Sequence, residues 1–466
     1  MKSNSDPNPD KYYCTRPFEW FAVLDNGDVS PCCPPWIDGY RIGNLYKQSV
    51  DEVWNGEKAQ AFRESILDGS FKYCNEMSCP HLQSKSESVF TLYQLEHGDN
   101  PKVTKDVKDK KTVLDHGPLI INCEYDRSCN LSCPSCRRDL IIVFGEQRDK
   151  ILSLQDKLID GAFSNAQHIT ITGSGDAFAS PVFRNLLQNL KKEQAPELGH
   201  ILLLTNGLLV NKYWHTLSDY AKENIKTISV SVDAVCPETY AINRRGGDWE
   251  QLQDNLAFIQ NLKACGQIEH FCISMVVQEN NFTQMKDFVL MGESYGACLV
   301  QFQIIEPDFI RALGYGDYLS EWIDKAVHEK THPRHQEFLD VIQDEFFASY
   351  IERYLKASSV RRSERYKYAG TASNMGPLHN LIQGVDISQY ETLLKESQEH
   401  EKNKDKKDVW FDTTIYYVDW KSIKNINGSD FVRIETGQVL FWNGNEWEIC
   451  DEDSTDFAEF IKKEEK

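Results

Sequence analysis

The sequence predicts an α/β protein: a partial (β/α)6 TIM-like barrel with a small Cys-rich N-terminal domain and a C-terminal helical plus β-rich region. Three observations predict it. Within residues 118–310, six apolar runs alternate with helical patterns: Leu119–Cys123, His168–Thr172, His200–Leu204, Thr227–Val232, Phe271–Val277 and Leu299–Ile305. Strand then helix, repeated, implies a parallel sheet with right-handed crossovers and chemistry at the strand C-terminal ends. The helices between are amphipathic: Leu252, Leu256, Ile259 and Leu262 share one face, as do Phe183, Leu187 and Leu190. Finally, 466 residues that are 41% apolar supply interior enough for such a barrel and for two or three domains.

Taken in order, residues 11–84 are rich in Cys, Pro and Gly, with turn signals at Asp25-Asn26-Gly27-Asp28 and Pro34-Pro35. Residues 85–117 read as a linker, whose Lys/Asp run from Lys102 to Lys111 suits a solvated segment or helix face. The barrel occupies 118–310. Residues 311–407 read as helical and end in a polar run, Lys395 to Lys407. Residues 408–466 hold aromatic and β-branched runs with turn pairs Asn427-Gly428 and Asn443-Gly444, the pattern of a small β-sheet.

Asp and Glu exceed Lys and Arg, 71 to 51, for a net charge of −20. That balance argues against nucleic acid and against an anionic membrane surface as partners. The polar start, MKSNSDPNPD, has no apolar export core, and the apolar stretch around Ile201 to Val210 is too short to span a bilayer. A cytoplasmic location is expected, and there 14 cysteines point to metal or cluster ligation plus buried thiols rather than disulfides.

Cys129, Cys133 and Cys136 form a C-x3-C-x2-C loop directly after the first barrel strand. A structural zinc ion takes four ligands, and only Cys123 lies close by in sequence. Three thiolates on a [4Fe–4S] cube leave one iron open to chelate a substrate's amino and carboxylate groups. Further polar motifs follow the later strands: Gly173-Ser174-Gly175-Asp176, Thr205-Asn206-Gly207, Ser229 to Asp233, Arg244-Arg245-Gly246-Gly247, Gln278-Glu279-Asn280-Asn281 and Gln301-Phe302-Gln303. Singly, each has an ordinary reading as a tight turn or a helix N-cap, and Tyr240 and Trp249 read as packing residues. Together, and in order along six strands, they point to a ligand site.

On these motifs, residues 118–305 resemble the core of the radical S-adenosylmethionine (SAM) superfamily. The resemblance implies a [4Fe–4S] cluster on Cys129, Cys133 and Cys136 and SAM at its open iron. A one-electron donor such as flavodoxin or ferredoxin would drive reductive cleavage to methionine and a 5′-deoxyadenosyl radical, which takes a hydrogen atom from a substrate carbon. Gly173, Ser174, Gly175 and Asp176 are similar to the Gly-Gly-Glu motif that holds the methionine amino group, departing by a Ser and an Asp. Asn206, Ser231 and Asp233 fall where members approach SAM, the last two near its ribose, and Arg244 where they pair its carboxylate. Ser135 stands where an aromatic residue commonly packs near adenine, which moves that contact to the region of Gln301. No catalytic side chain is assigned beyond the cluster. Relatives of this type act on peptides or proteins and on sugars or polyols, so a peptide or a small molecule is the expected substrate.

Cys14, Gly27 and Cys32 fit C-x12-G-x4-C, and Cys74 and Cys79 follow. With Gly43-Asn44-Leu45, Val53-Trp54 and Phe62-Arg63 this resembles the SPASM domain, here ahead of the core, whereas it normally follows it. The resemblance implies one auxiliary [4Fe–4S] cluster on Cys14, Cys32, Cys74 and Cys79, with Cys33 as the alternative to Cys32. The same thiolates satisfy a structural zinc site, and a non-catalytic zinc-binding scaffold is the competing reading of the chain. Cys123, Cys236, Cys265, Cys272, Cys298 and Cys450 are expected as small buried hydrophobes, and His332 and His335 as structural or solvated.

Overall fold

The computed structural model describes residues 11–305 except 77, 78, 80, 83–87, 99 and 138, then 324–347, then four strands between 424 and 451. It divides into two units, one up to Glu391 and one from Thr392.

The first unit opens with β1 (Tyr12–Cys14), β2 (Trp20–Leu24), β3 (Asp28–Ser30), β4 (Gly43–Asn44) and β5 (Val89–Thr91). The barrel strands follow: β6 (Ile120–Glu124), β7 (His168–Ile171), β8 (His200–Thr205), β9 (Ile225–Ser231), β10 (His270–Val277) and β11 (Leu299–Ile304). All six expected runs are strands, joined in sequence order and parallel, as the strand-helix alternation requires. Two of the helices between them, Pro181–Asn189 and Trp249–Ala264, bury the apolar stripes that the sequence marks out.

The sheet extends beyond the six barrel strands. β2, from the Cys-rich segment, lies parallel against β6 with Leu24 opposite Glu124, and β3 and β4 extend the sheet antiparallel. The Cys-rich segment is thereby attached to the same sheet as the strand that leads into the cluster loop. Between them, residues 92–108 hold the helices Leu92–Glu96 and Pro101–Lys108; the second buries Val103 and Val107 and leaves its lysines to solvent. Arg63, fully buried, ties the N-terminal segment together by donating to the carbonyls of Pro17, Trp54 and Thr112 at 2.8–2.9 Å.

Register divides the sheet into two chemically different faces, because residues opposite one another on paired strands share a face. Ile121, Ile169, Ile228, Ile273 and Val300 belong to the face under the helices; Ile273 and Val300 pack against Gly292 of the helix Met285–Ser294. Asn122, Thr170, Thr227, Ser229, Ser231, His270, Ser274 and Gln301 occupy the opposite face. Leu202, Leu204 and Cys272 share that face, which thus combines apolar ground with groups able to hydrogen-bond a ligand.

The second unit carries an antiparallel sheet of β12 (Lys424–Ile426), β13 (Ser429–Arg433), β14 (Gln438–Trp442) and β15 (Trp447–Asp451). Ile426 pairs with Ser429 and Trp442 with Trp447, so the two Asn-Gly pairs fall between paired strands. Of the region expected to be helical, the helix His335–Ile342 is described; the rest, with the polar run Lys395 to Lys407, lies outside the described residues. Among the described residues no helix is long and apolar enough to cross a membrane.

Candidate active site

The Cys129–Cys136 loop leaves the C-terminal end of β6 and is held at both flanks. Cys129 N–H donates to Ile141 O at 2.8 Å, and Ser132 exchanges bonds with Arg245. Cys129 and Cys133 are buried and Cys136 is partly open. Each thiol faces an N–H donor: Asn206 Nδ2 lies 3.7 Å from Cys129 Sγ, Arg244 Nη1 3.7 Å from Cys133 Sγ, and Arg137 Nε 3.4 Å from Cys136 Sγ. Burial, with Asp176 nearby, pushes the Cys129 thiol up to about 12, so it needs a metal to lose its proton. Arg137 was not singled out in the sequence, although a cation directly after a cluster cysteine is a readable signal. It also donates to Arg127 O and Ser174 O, joining the loop to the turn after β7.

That turn is strained. Thr172 sits at φ 67°, an unusual place for a β-branched residue, and its hydroxyl accepts from Ser174 N and Gly175 N. Ser174 Oγ donates to Glu124 O at 2.8 Å. Gly173 is exposed at the strand end, while Gly175 is pressed on the cluster loop: a Cβ there would stand 2.5 Å from Asp126 O and 2.7 Å from Ser128 O. Gly175→Ala is therefore expected to displace the loop, costing on the order of 2 kcal/mol by chemical denaturation and lowering iron uptake. Unchanged stability and iron content would refute this packing.

Asp176 meets a different fate from a ligand-binding carboxylate. Oδ1 accepts from Phe178 N and Ala179 N, and Oδ2 from Thr205 Oγ1 and Asn206 N, all at 2.7–2.9 Å. Four protein donors fill the carboxylate, so its side chain locks β7 to β8. Asn206, so positioned, also donates to Asn130 Oδ1 at 2.8 Å.

Asp233, likewise at positive φ and fully buried, pairs with Arg244 at 2.8 Å and accepts from Val276 N at 2.7 Å. Arg244 Nε remains buried with no protein partner among the described residues, as does Gln301 Nε2. Gln301, Ser274 and Ser231 lie side by side across β11, β10 and β9, with Ser274 Oγ 3.3 Å from Ser231 Oγ. These orphaned donors above a polar sheet face fit a ligand such as SAM.

In the N-terminal segment, Gly27 (φ 80°) closes the β2–β3 hairpin against Tyr46, which returns Cys32 to Cys14. Cys14 lies within electrostatic reach of Cys32, Cys74 and Cys79, whereas Cys33 lies toward Arg41. Among the described residues no three His, Cys, Asp or Glu side chains converge tightly enough for a single metal ion. Four neighbouring thiols supply one ligand to each iron of a cube, or all four ligands of a zinc ion. Arg16, buried over the rings of Trp20 and Trp36 at 4.4 and 5.0 Å, places a cation beside them.

Three of the remaining cysteines differ from expectation: Cys236 is only partly buried and two others are exposed, while the burial of Cys450 lies outside what is described. Cys123 and Cys272 are buried, but Cys265 and Cys298 are exposed, the first because it caps the helix Trp249–Ala264 at its solvent end, the second because it precedes β11. His332 and His335 bond backbone carbonyls of Asp324 and Val327, a structural role.

Comparison with known proteins agrees with these two centres. Residues 125–289 match the radical SAM superfamily, and residues 14–80 match SPASM, an iron-sulfur cluster-binding domain. A GTP 3',8-cyclase of Alkaliphilus metalliredigens is 31% identical over 131 residues, 28% of this chain and 39% of the relative. The FeMo cofactor biosynthesis protein NifB of Methanocaldococcus jannaschii is 34% identical over 121 residues, 24% of this chain and 38% of the relative. The chain thus spans about two fifths of the length of these relatives. Among solved structures, Streptococcus suis SuiB bound to its precursor peptide SuiA aligns over 61% of this chain and 64% of that one, with 13% identity and a TM-score of 0.30. Native anSMEcpe with bound AdoMet aligns over 44% and 62%, with 20% identity and a TM-score of 0.32. The iron-sulfur match of the N-terminal segment and the radical SAM match of the barrel displace the zinc-scaffold reading. The chain thus carries a radical SAM superfamily domain at residues 125–289, preceded by a SPASM iron-sulfur cluster-binding domain at residues 14–80.

Proposed function

We propose that this enzyme oxidises or rearranges a carbon of a polar substrate, a peptide or protein side chain or a sugar or polyol, held on the hydrogen-bonding face of its sheet. One observation carries the reading: that face lies on the sheet whose β6 runs into the Cys129–Cys136 loop and which β2, β3 and β4 of the Cys-rich segment extend, with Cys32 just after β3. When bound, two clusters and SAM supply one-electron chemistry, namely hydrogen-atom abstraction from carbon and an acceptor for the electron that carbon releases.

The residues divide that work. Cys129, Cys133 and Cys136 hold the core cluster, and Asn206, Arg244 and Arg137 present N–H groups to their sulfurs. The backbone at Gly173 to Asp176, the free Nε of Arg244, Gln301 and Ser231 hold SAM. Cys14, Cys32, Cys74 and Cys79 hold the auxiliary cluster. A flavodoxin or ferredoxin is the proposed electron source.

The test is anaerobic incubation of the reconstituted chain with dithionite and SAM. The probes are serine and cysteine peptides deuterated at the β-carbon and, separately, C-deuterated glycerol. Deuterium is expected in 5′-deoxyadenosine with one class; absence from both, with 5′-deoxyadenosine still formed, would remove these substrate classes.

A further inference from the structure

Glu124 has no part in holding either cluster, yet it stands where barrel chemistry takes place. It is the last residue of β6, at the strand's C-terminal end, and shares the polar face with Asn122. Asn122 Nδ2 donates to Glu124 Oε1, fixing the carboxyl inward along the strand. Across the gap is exposed Gly173: a Cβ there would lie 3.1–3.2 Å from Glu124 Cδ, Cγ and Oε1, so glycine leaves the carboxyl open on that side. Gly173 begins the turn that meets the backbone just ahead of the cluster loop through Gly175, so the carboxyl lies at the strand end next to that turn.

Its charged surroundings come from the N-terminal segment. Burial pushes the Glu124 acid up to about 7; Arg41 opposes that shift, and Asp25, which follows β2, adds to it. Arg41 in turn faces Asp28 and Cys33. A carboxyl poised near neutrality at the mouth of a polar barrel is suited to exchange protons.

We infer that Glu124 is the substrate's proton acceptor, and that the reacting carbon bears a hydroxyl, thiol or amine. This inference rests on the function proposed above and narrows it. The proton leaves the substrate O–H, S–H or N–H and arrives on a Glu124 carboxylate oxygen; no electron moves in this step. Removing a hydrogen atom from such a carbon makes the neighbouring O–H, S–H or N–H far more acidic, which is when a base of this strength can take its proton.

The experiment uses the full-length reconstituted chain, wild type and Glu124→Gln and Glu124→Asp, with the deuterated peptides and glycerol described above. The basic form of Glu124 is the active one, so wild-type product formation is expected to rise as pH passes upward through about 7. Glu124→Gln is expected to lose product about 100-fold or more and to lose that limb, while 5′-deoxyadenosine formed without product stays within about threefold. Glu124→Asp is expected to recover part of the rate. A Gln variant that makes product within about threefold of wild type, with the same pH profile, would overturn the inference. An infrared titration reads the group without turnover: a protonated-carboxyl band fading near pH 7 in wild type and missing from Glu124→Gln is expected, and its absence overturns the assignment. Should wild type form no 5′-deoxyadenosine at all, the proposed function fails, and the infrared result still decides the state of Glu124.

Discussion

Replacing Cys129, Cys133 or Cys136 singly with alanine is expected to abolish 5′-deoxyadenosine formation, by at least about a thousandfold, in the dithionite assay. The loss should be this complete because the fold offers no substitute. Cys123, the nearest other cysteine in sequence, is fully buried on the apolar face of β6, opposite the side that carries Asn122 and Glu124. Each thiol is also matched to its own N–H donor from a different element: the end of β8, the loop after the helix Pro237–Asn243, and Arg137. A two-thiol remnant would leave one of these donors aimed at nothing. Iron should fall by about four per chain, to the auxiliary complement. Cys265→Ala, at an exposed helix end, is the control and should leave both iron and activity unchanged. Persistent 5′-deoxyadenosine in any of the three loop variants would refute the assignment of the cluster.

The barrel was legible because its information is local. Leu252, Leu256, Ile259 and Leu262 announce their helix by spacing alone, and the six β-runs end within two residues of expectation. The cysteine loop was legible because ligand spacing is a covalent property of the chain. What stayed hidden depends on partners remote in sequence. Nothing in Trp20–Leu24 says that its neighbour is β6, about a hundred residues later, so the attachment of the N-terminal segment to the barrel sheet could not be read. Asp176 is a similar case: an acid after a Gly-rich turn suggests a ligand contact, and only the fold shows Thr205 and Asn206 arriving to fill its second oxygen. Glu124 escaped notice for the same reason, since a lone Glu at a strand end is ordinary until burial and the approach of Arg41 and Asp25 change its acidity.

That attachment allows the N-terminal cluster either a structural or an electron-accepting role. Cys74→Ala and Cys79→Ala are expected to lower product formation by about a hundredfold or more while SAM cleavage stays within about threefold. Iron should fall by about four per chain, leaving the core cluster. Cys14 is a poorer choice for the test: it ends β1, opposite Val89, and lies just ahead of the helix Arg16–Glu19 that feeds β2, so a change there could reach β6 through the sheet. Cys74 and Cys79 lie outside strands and helices, so their loss is better confined to the cluster. If the N-terminal cluster serves only to hold the sheet together, both variants should lose SAM cleavage and product in parallel, and thermal stability with them. If it takes an electron from the substrate, the two activities must separate, because the cysteine loop after β6 keeps all three of its thiols and their N–H donors.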